Sequence, residues 1–405
     1  MSATQNECPT VDQDVTERDF SQHPYPAYEE WRGLGPVVYN EKHDEYVVTG
    51  YRDCARSLTK VGTFSSQDLQ EQFTGMFGGA TMEALDSARH HAMRGIWAGF
   101  FERESLEQQR ELVTEIVTPQ VDGFVERVRA GEVVDAVPNL NRAIPTLVIA
   151  RMLGIDESMH KQFSAWSDAM GATGQAVHDP SPRGREIVAR GRRGTAALNG
   201  YLAEVIKERR AQGRGEDLVS AMVYHDYANE MSEQEIIASN TQLVFAGNET
   251  TASLMGTILV ALARHPDQRR ALTADRSLIP QAIEEIHRWE TLVQGLPRRV
   301  ISDDAQIAGV RLPRASRVTM LLAAGNRDPA RWDEASQLNI LREPRQHLGF
   351  GFGMHVCLGL NLARLELQVW LGQLLDKLPD YQLAGEIEYP RGMVLRAPLQ
   401  VPVAA

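Results

Sequence analysis

Cysteine is scarce in this chain: only Cys8, Cys54 and Cys357 occur in 405 residues. They are far apart and form no CxxC, so a disulfide framework is excluded and a reducing cytoplasmic setting fits best. A basic excess is missing too. Lys and Arg number 42 against 54 Asp and Glu, a net charge of −12. That rules out a broadly basic, nucleic-acid-binding surface while leaving room for a local basic patch. No uninterrupted apolar run approaches the roughly 18 residues of a membrane span. The start, MSATQNECPTVDQDVTERDF, lacks both the basic and the apolar region of a signal peptide. Repeats, low-complexity tracts and proline- or serine-rich linkers are absent as well. The 43% hydrophobic share is that of an ordinary globular protein, and at about 150 residues per domain the length alone suggests two or three domains.

Residues 1–20 read as a loose arm. GPVVYNEKHDEYVVT (35–49) has two β-branched or aromatic runs flanking a polar turn and predicts a hairpin. Residues 50–60 and 83–130 read as helical, with the glycine-bearing stretch between them expected to be a long loop and a candidate lid. Amphipathic helices are expected over 139–178 and 184–212, split by HDPSPRG. Ser232 and Glu235 have the spacing of a capping box. The apolar pattern that follows runs until His265-Pro266 stops it. About 32 residues at a rise of about 1.5 Å make a helix of roughly 48 Å, and its nearly all-round apolar character predicts a central buried position. Further helices are expected over 278–290 and 358–375, and short strands over 298–320 and from Tyr381 onward. Helix dominates, with strand concentrated near both ends.

Three places carry chemistry. In LGFGFGMHVCLGLNLARLE (348–366), glycines alternate with apolar residues ahead of Cys357 at a helix start. There, free amides and the helix dipole stabilise a thiolate. The sulfur could be an axial ligand of a flat cofactor, a buried structural thiol, or half of a His355-x-Cys357 zinc site. Within the long helix stands the polar island Asn248-Glu249-Thr250-Thr251. Buried polar groups are costly unless used or solvated, and a hydroxyl that bonds backward loosens its helix. In AIEEIHRWE, Glu285 and Arg288 share one helical face, as either a surface or a buried ion pair.

The run ending at Cys357 resembles the haem-binding signature of the cytochrome P-450 superfamily in its soluble bacterial type. Phe350, Gly353, His355, Cys357 and Gly359 fill the defining positions. AGNETT (246–251) is similar to that family's distal-helix motif, ExxR to its Glu285–Arg288 core pair, and His90-x-x-x-Arg94 and NRDP (326–329) fall in order. The likeness spans about residues 20–400. It implies an α+β fold, mainly helical with small sheets. This is a triangular prism with haem b between a long central distal helix and the proximal Cys-loop helix, built as one domain over 21–405.

The resemblance also implies roles. Cys357 is the iron ligand, with Phe350 and Gly351 in its loop and Ala246 and Gly247 leaving room over the iron. Glu249 and Thr250 are the acid–alcohol pair that delivers protons. His90, Arg94, Arg299 and His355 are expected at the two propionates, with Arg298 able to exchange roles with Arg299. Phe73, Met76, Phe77, Trp166, Met170, Val177, Leu243, Leu292, Val293, Leu296, Met393 and Val394 are expected around the substrate. The implied activity is a monooxygenase inserting one atom of O2 into a small apolar or aromatic substrate, by hydroxylation or oxidative O-demethylation. A peroxide-driven peroxygenase and a non-catalytic haem- or ligand-binding protein are the alternatives. No flavin- or nicotinamide-binding segment is present. Electrons are therefore expected from NAD(P)H through a ferredoxin and its reductase, docking on a basic patch for which Arg342, Arg345 and Arg364 are candidates. A monomer in the cytoplasm is expected, with neither nucleic acid nor membrane as partner.

Overall fold

The computed structural model describes residues 8–176, 179–213 and 215–405. Its axis is the helix Glu233–Arg264, 32 residues long, opened by the Ser232–Glu235 capping box and stopped at His265. The helix is long and apolar enough to span a bilayer by composition, yet 78% of its most apolar window is buried inside the protein. It is a core element. Helices Ala143–Met152, His160–Ala176 and Pro182–Gln212 pack on it from one side, Ile279–Trp289 and Leu360–Lys377 from the other. One continuous apolar core joins them, with Met255, Ile258 and Leu262 of the long helix fully buried at its centre.

Strands lie to one side. Val37–Asn40 and Glu45–Val48 form the expected hairpin, turned by Asp44 in left-handed backbone. They sit inside a six-stranded sheet that also takes in Arg317–Met320, Leu296–Val300 and Phe64–Ser65. The sheet extends to Thr10–Val11, paired in parallel with the hairpin. Residues 8–20 are therefore packed rather than loose: Val15 and Phe20 are buried against Tyr28 and Trp31. A second departure is the helix Gln67–Phe77, where a long loop is expected from the sequence. Its pattern has no clear helical period because only Phe77 is fully buried, so the apolar stripe that reveals a helix is missing.

Behind the loop that carries Cys357, Glu285 and Arg288 form a bidentate pair at 2.7 and 2.8 Å with side chains 4% and 2% exposed. The remaining donors and acceptors are satisfied. Arg288 donates to the carbonyls of Asn326, Ala335 and Gln337, while Glu285 accepts from the Asn339 amide and from Arg342. Arg342 is thereby occupied internally and does not face a partner as the sequence suggested. Glu285→Ala leaves the Arg288 charge buried without its carboxylate and should cost about 3–5 kcal/mol in denaturant unfolding. The exposed Arg18–Glu388 pair is the control: Arg18→Ala should cost below about 1 kcal/mol.

Candidate active site between the long helix and the Cys357 loop

The floor of the site is the segment Leu348–Cys357. Gly351 and Gly353 both take positive φ, at 75° and 73°. At Gly353 a Cβ would stand 2.8 Å from the Leu58 carbonyl, so only glycine lets the loop lie against the end of helix Tyr51–Leu58. The Cys357 amide donates to the Phe350 carbonyl at 2.8 Å, closing the loop. The thiol is accessible yet enclosed by protein on the longer scale that sets its solvation, as a side chain at the bottom of a cleft is. Burial raises its pKa, while the Gly359 amide and the charges of Arg94 and Arg364 act in the opposite sense. His355 is engaged with Asp86 at 3.1 Å. Among the described residues, no three His, Cys, Asp or Glu side chains converge as a metal shell, which disfavours the zinc alternative.

The roof is the middle of the long helix. Phe245, Ala246, Gly247 and Thr250 are partly accessible in an otherwise buried stretch. The Thr250 hydroxyl donates to the Ala246 carbonyl at 2.7 Å, the backward bond that loosens a helix. A methyl at Gly247 would meet Ile149 at 3.7 Å, an ordinary contact, so packing does not force glycine there. Asn248 reaches Ser167 at 2.6 Å. Glu249, 3% exposed, lies under helix His160–Ala176 against Gly171. Behind it Asp168 has its pKa raised by burial, with Arg142 opposing and the Glu249 charge adding to the rise. Asp168 escaped the sequence reading because nothing in its local pattern marks it.

The rim carries cations. His90 is 1% exposed with Nδ1 unpaired, and its ring meets His355 edge-on at 4.5 Å. Burial, then His355 and Arg94, lower its pKa to about 4. Asp86, which burial alone would raise, is drawn down to about 2 by His355, Ser65 and the Ser66 amide. Arg94 is half-buried, its pKa lowered by burial. Arg298 is 3% exposed and, among the described residues, donates only to the Pro297 carbonyl. Arg299, expected at a propionate, instead pairs with Asp68 at 2.6 Å and is partly exposed. Successive strand residues face opposite sides, and it is Arg298 that faces inward.

Of the expected substrate contacts, Phe73 and Phe77 on helix Gln67–Phe77 have ring centroids 5.6 Å apart, and Phe77 meets Phe245 of the long helix, which the sequence reading did not name, at 5.5 Å. Met76, Val293 and Leu296 are partly accessible and Val394 is half exposed. Leu292 and Met393 are buried. Trp166 packs on Tyr201 at 5.7 Å, in the contact between two helices, and Met170 is fully buried core. Val177 lies outside the described residues. Leu243 is core as well. Helical spacing places Gln242, not Leu243, in line with Ala246 and Thr250.

These features define a class of site. An accessible sulfur lies at the floor of a cleft and small residues with a hydroxyl stand across it. At the rim the half-buried Arg94 and the buried Arg298 have no salt-bridge partner among the described residues. Together they fit a flat, dianionic, iron-bearing macrocycle. The cytochrome P450 family signature matches residues 33–379, and the chain belongs to that family. It is 32% identical to cytochrome P450 monooxygenase PikC of Streptomyces venezuelae over 95% of this chain and 92% of that protein. It is 31% identical to the vitamin D(3) 25-hydroxylase of Pseudonocardia autotrophica over 97% and 96%. The structure superposes on CYP109Q5 from Chondromyces apiculatus with a TM-score of 0.84 at 30% identity, covering 98% of each chain. The enzyme is thus a monooxygenase with haem b, receiving electrons from NAD(P)H through partner proteins.

The unpaired buried groups separate Arg298 from Arg299. Arg298→Ala should weaken haem retention roughly 10- to 100-fold, the equivalent of one charge-assisted hydrogen bond. Arg299→Ala should leave it within about threefold. Transfer of haem to excess apomyoglobin measures both.

Proposed function

We propose that this enzyme inserts one oxygen atom from O2 into a small, largely apolar substrate held between the Phe73–Phe77–Phe245 rings and the Cys357 loop. The observation that carries the reading is an accessible Cys357 on its glycine loop together with a long buried helix whose Ala246, Gly247 and Thr250 stay partly accessible. Haem, when bound, supplies oxygen activation and the oxidation itself. Cys357 would hold its iron, and Arg94, Arg298, His90 and His355 would hold its carboxylates.

Thr250 already gives its own proton to the Ala246 carbonyl. Its oxygen is therefore set to accept a hydrogen bond from the cleft and to pass a proton on. Glu249, beside it in sequence and turned toward Asp168, is the group that renews that proton. Two carboxyls in series behind the hydroxyl give protons a route that does not pass through the substrate. The acid–alcohol pair favours an O2-using enzyme over a peroxygenase. Hydroxylation and O-demethylation make the same demands on these residues.

A ferredoxin is the proposed electron donor. Arg52 and Arg56, one turn apart on helix Tyr51–Leu58, border a surface groove shared with Arg331 and with Phe352 of the Cys357 loop. Lys60 and Arg345 are exposed too. By contrast Arg364 is bound to Glu284 and stacks on Phe350, and Arg342 is tied to Glu285. The patch therefore centres on Arg52 and Arg56, on an otherwise acidic protein, where it would steer an acidic partner. A cytoplasmic monomer fits this arrangement.

A thiolate-type Soret band in the reduced carbon monoxide complex is expected, and its absence in haem-loaded protein would overturn the ligand assignment. In the same preparation, Thr250→Ala should consume NADH at near wild-type rate while product falls about tenfold and hydrogen peroxide accumulates. Unchanged coupling removes Thr250 from the proton path. For the docking patch, Arg56→Glu should raise the KM for ferredoxin roughly tenfold, and most strongly at low salt, with substrate binding unaltered.

A further inference from the structure

One group of buried polar atoms is used by none of this. Glu83 stands on the segment that leads into the His90 helix and leans against the long helix, where its carboxylate accepts a short hydrogen bond from Gln242. Among the described residues this leaves Glu83 Oε2 and Gln242 Oε1 buried with no partner beyond the Thr81 hydroxyl and the Glu83 amide, which act on the Glu83 carboxyl. Gln242 is 3% exposed, and Ser239, one turn earlier on the same helical face, is 1% exposed with an unpaired hydroxyl. The Thr81 hydroxyl stands beside Glu83.

The segment is pinned in place. At Gly79 a Cβ would come within 2.8 Å of the Gln234 carbonyl, and Arg89 pairs with Glu235. On the long helix, Gln242 lies one turn from Ala246 and two from Thr250, on the same face. The charges of Arg94 and Cys357 are both felt at Glu83. Burial pushes the Glu83 carboxyl up to about 7, moderated by its own amide, by Thr81 and by Arg94. Leaving a buried acceptor unsatisfied costs roughly 1–3 kcal/mol, so two convergent acceptors beside a ligand cleft mark the position of a ligand group.

We infer that Glu83 and Gln242 form the polar end of the substrate site and select a substrate bearing a hydroxyl on an apolar skeleton. The choice of hydroxyl follows from the neighbours. A carboxylate would meet Glu83, and an ammonium would meet the field of Arg94. A hydroxyl donates to Glu83 Oε2 or Gln242 Oε1 and accepts from the Ser239 or Thr81 hydroxyl. The inference rests on the cleft being the pocket in which substrate is oxidised, and it fixes which end of the substrate lies away from Thr250.

The test compares matched probes: the straight-chain 1-alkanols from octanol to dodecanol, and the methyl ether of each. Binding to the haem-loaded enzyme is followed by the Soret shift and, independently of spin state, by equilibrium dialysis. At least one alcohol should bind roughly tenfold tighter than its ether. Gln242→Leu and Glu83→Ala should abolish that preference by weakening the alcohol alone, while Glu83→Gln keeps most of it. Failure of every alcohol to bind, equal binding of alcohols and ethers to the wild type, or loss of both in the variants overturns the inference. The reduced carbon monoxide band, recorded on each preparation, reports separately on the haem-thiolate reading.

Discussion

The ion pair between Glu285 and Arg288 is the constraint on which the rest of the site depends. Two charges with almost no exposed surface carry a desolvation penalty of several kcal/mol each. What offsets it is saturation: Arg288 binds three backbone carbonyls besides its carboxylate, and Glu285 takes an amide and a second guanidinium. The partners come from the irregular stretch 326–342, which has little regular structure of its own. The pair therefore converts a helix face into a template for a loop. Asn326, held by it through its carbonyl, accepts from the Leu348 amide with its side-chain oxygen at 2.7 Å. Through that bond the buried charges reach the segment that ends at Cys357.

A second constraint acts from the other side. The long helix is apolar nearly all round because it is packed on from every direction except where it faces the cleft. Between positions 242 and 250 its polar residues point two ways. Asn248 is tied outward to Ser167, and Glu249 is turned beneath the neighbouring helix. Thr250 and Gln242 point along the stripe shared with Ala246. The same helix thus serves as core on most faces and as chemistry on one.

Much of this was legible in the sequence, and the reasons differ by element. The capping box and the histidine–proline stop gave the long helix to within a residue, because caps are local signals. The hairpin at 37–48 was legible for the same reason. Helix Gln67–Phe77 was not, since most of its residues stay accessible and no apolar stripe forms. Nor could the sequence choose between Arg298 and Arg299. A strand's facing alternates with every residue, so a shift of one position exchanges a buried guanidinium for one in a partly exposed ion pair. Gln242 and Leu243 show the helical counterpart: both are buried, at 3% and 5%, but one residue is about 100° of rotation, so Gln242 rather than Leu243 shares a face with Ala246 and Thr250. The arginines 342 and 364 looked like free surface charge, but both are held by glutamates that only the tertiary fold brings near.

Among the arginines expected or found near the site, Arg298 is set apart by what it lacks. Arg299, Arg342, Arg364 and Arg396 all find carboxylates within the protein. Arg298 is as buried as any of them and finds none, and His90 keeps a buried ring nitrogen unpaired. A fold that had evolved for stability alone would have little reason to bury these groups, because each loses its water without gaining a partner. Gln242, held against Glu83, and Thr250 lie on either side of Ala246 along one helical face. In the proposed orientation the unpaired acceptors hold one end of the substrate. Thr250, two turns farther along the same helical face, marks where oxygen must be handled. The distance between those points, set by the rise of one helix, limits which carbon of a bound substrate can be presented for oxidation.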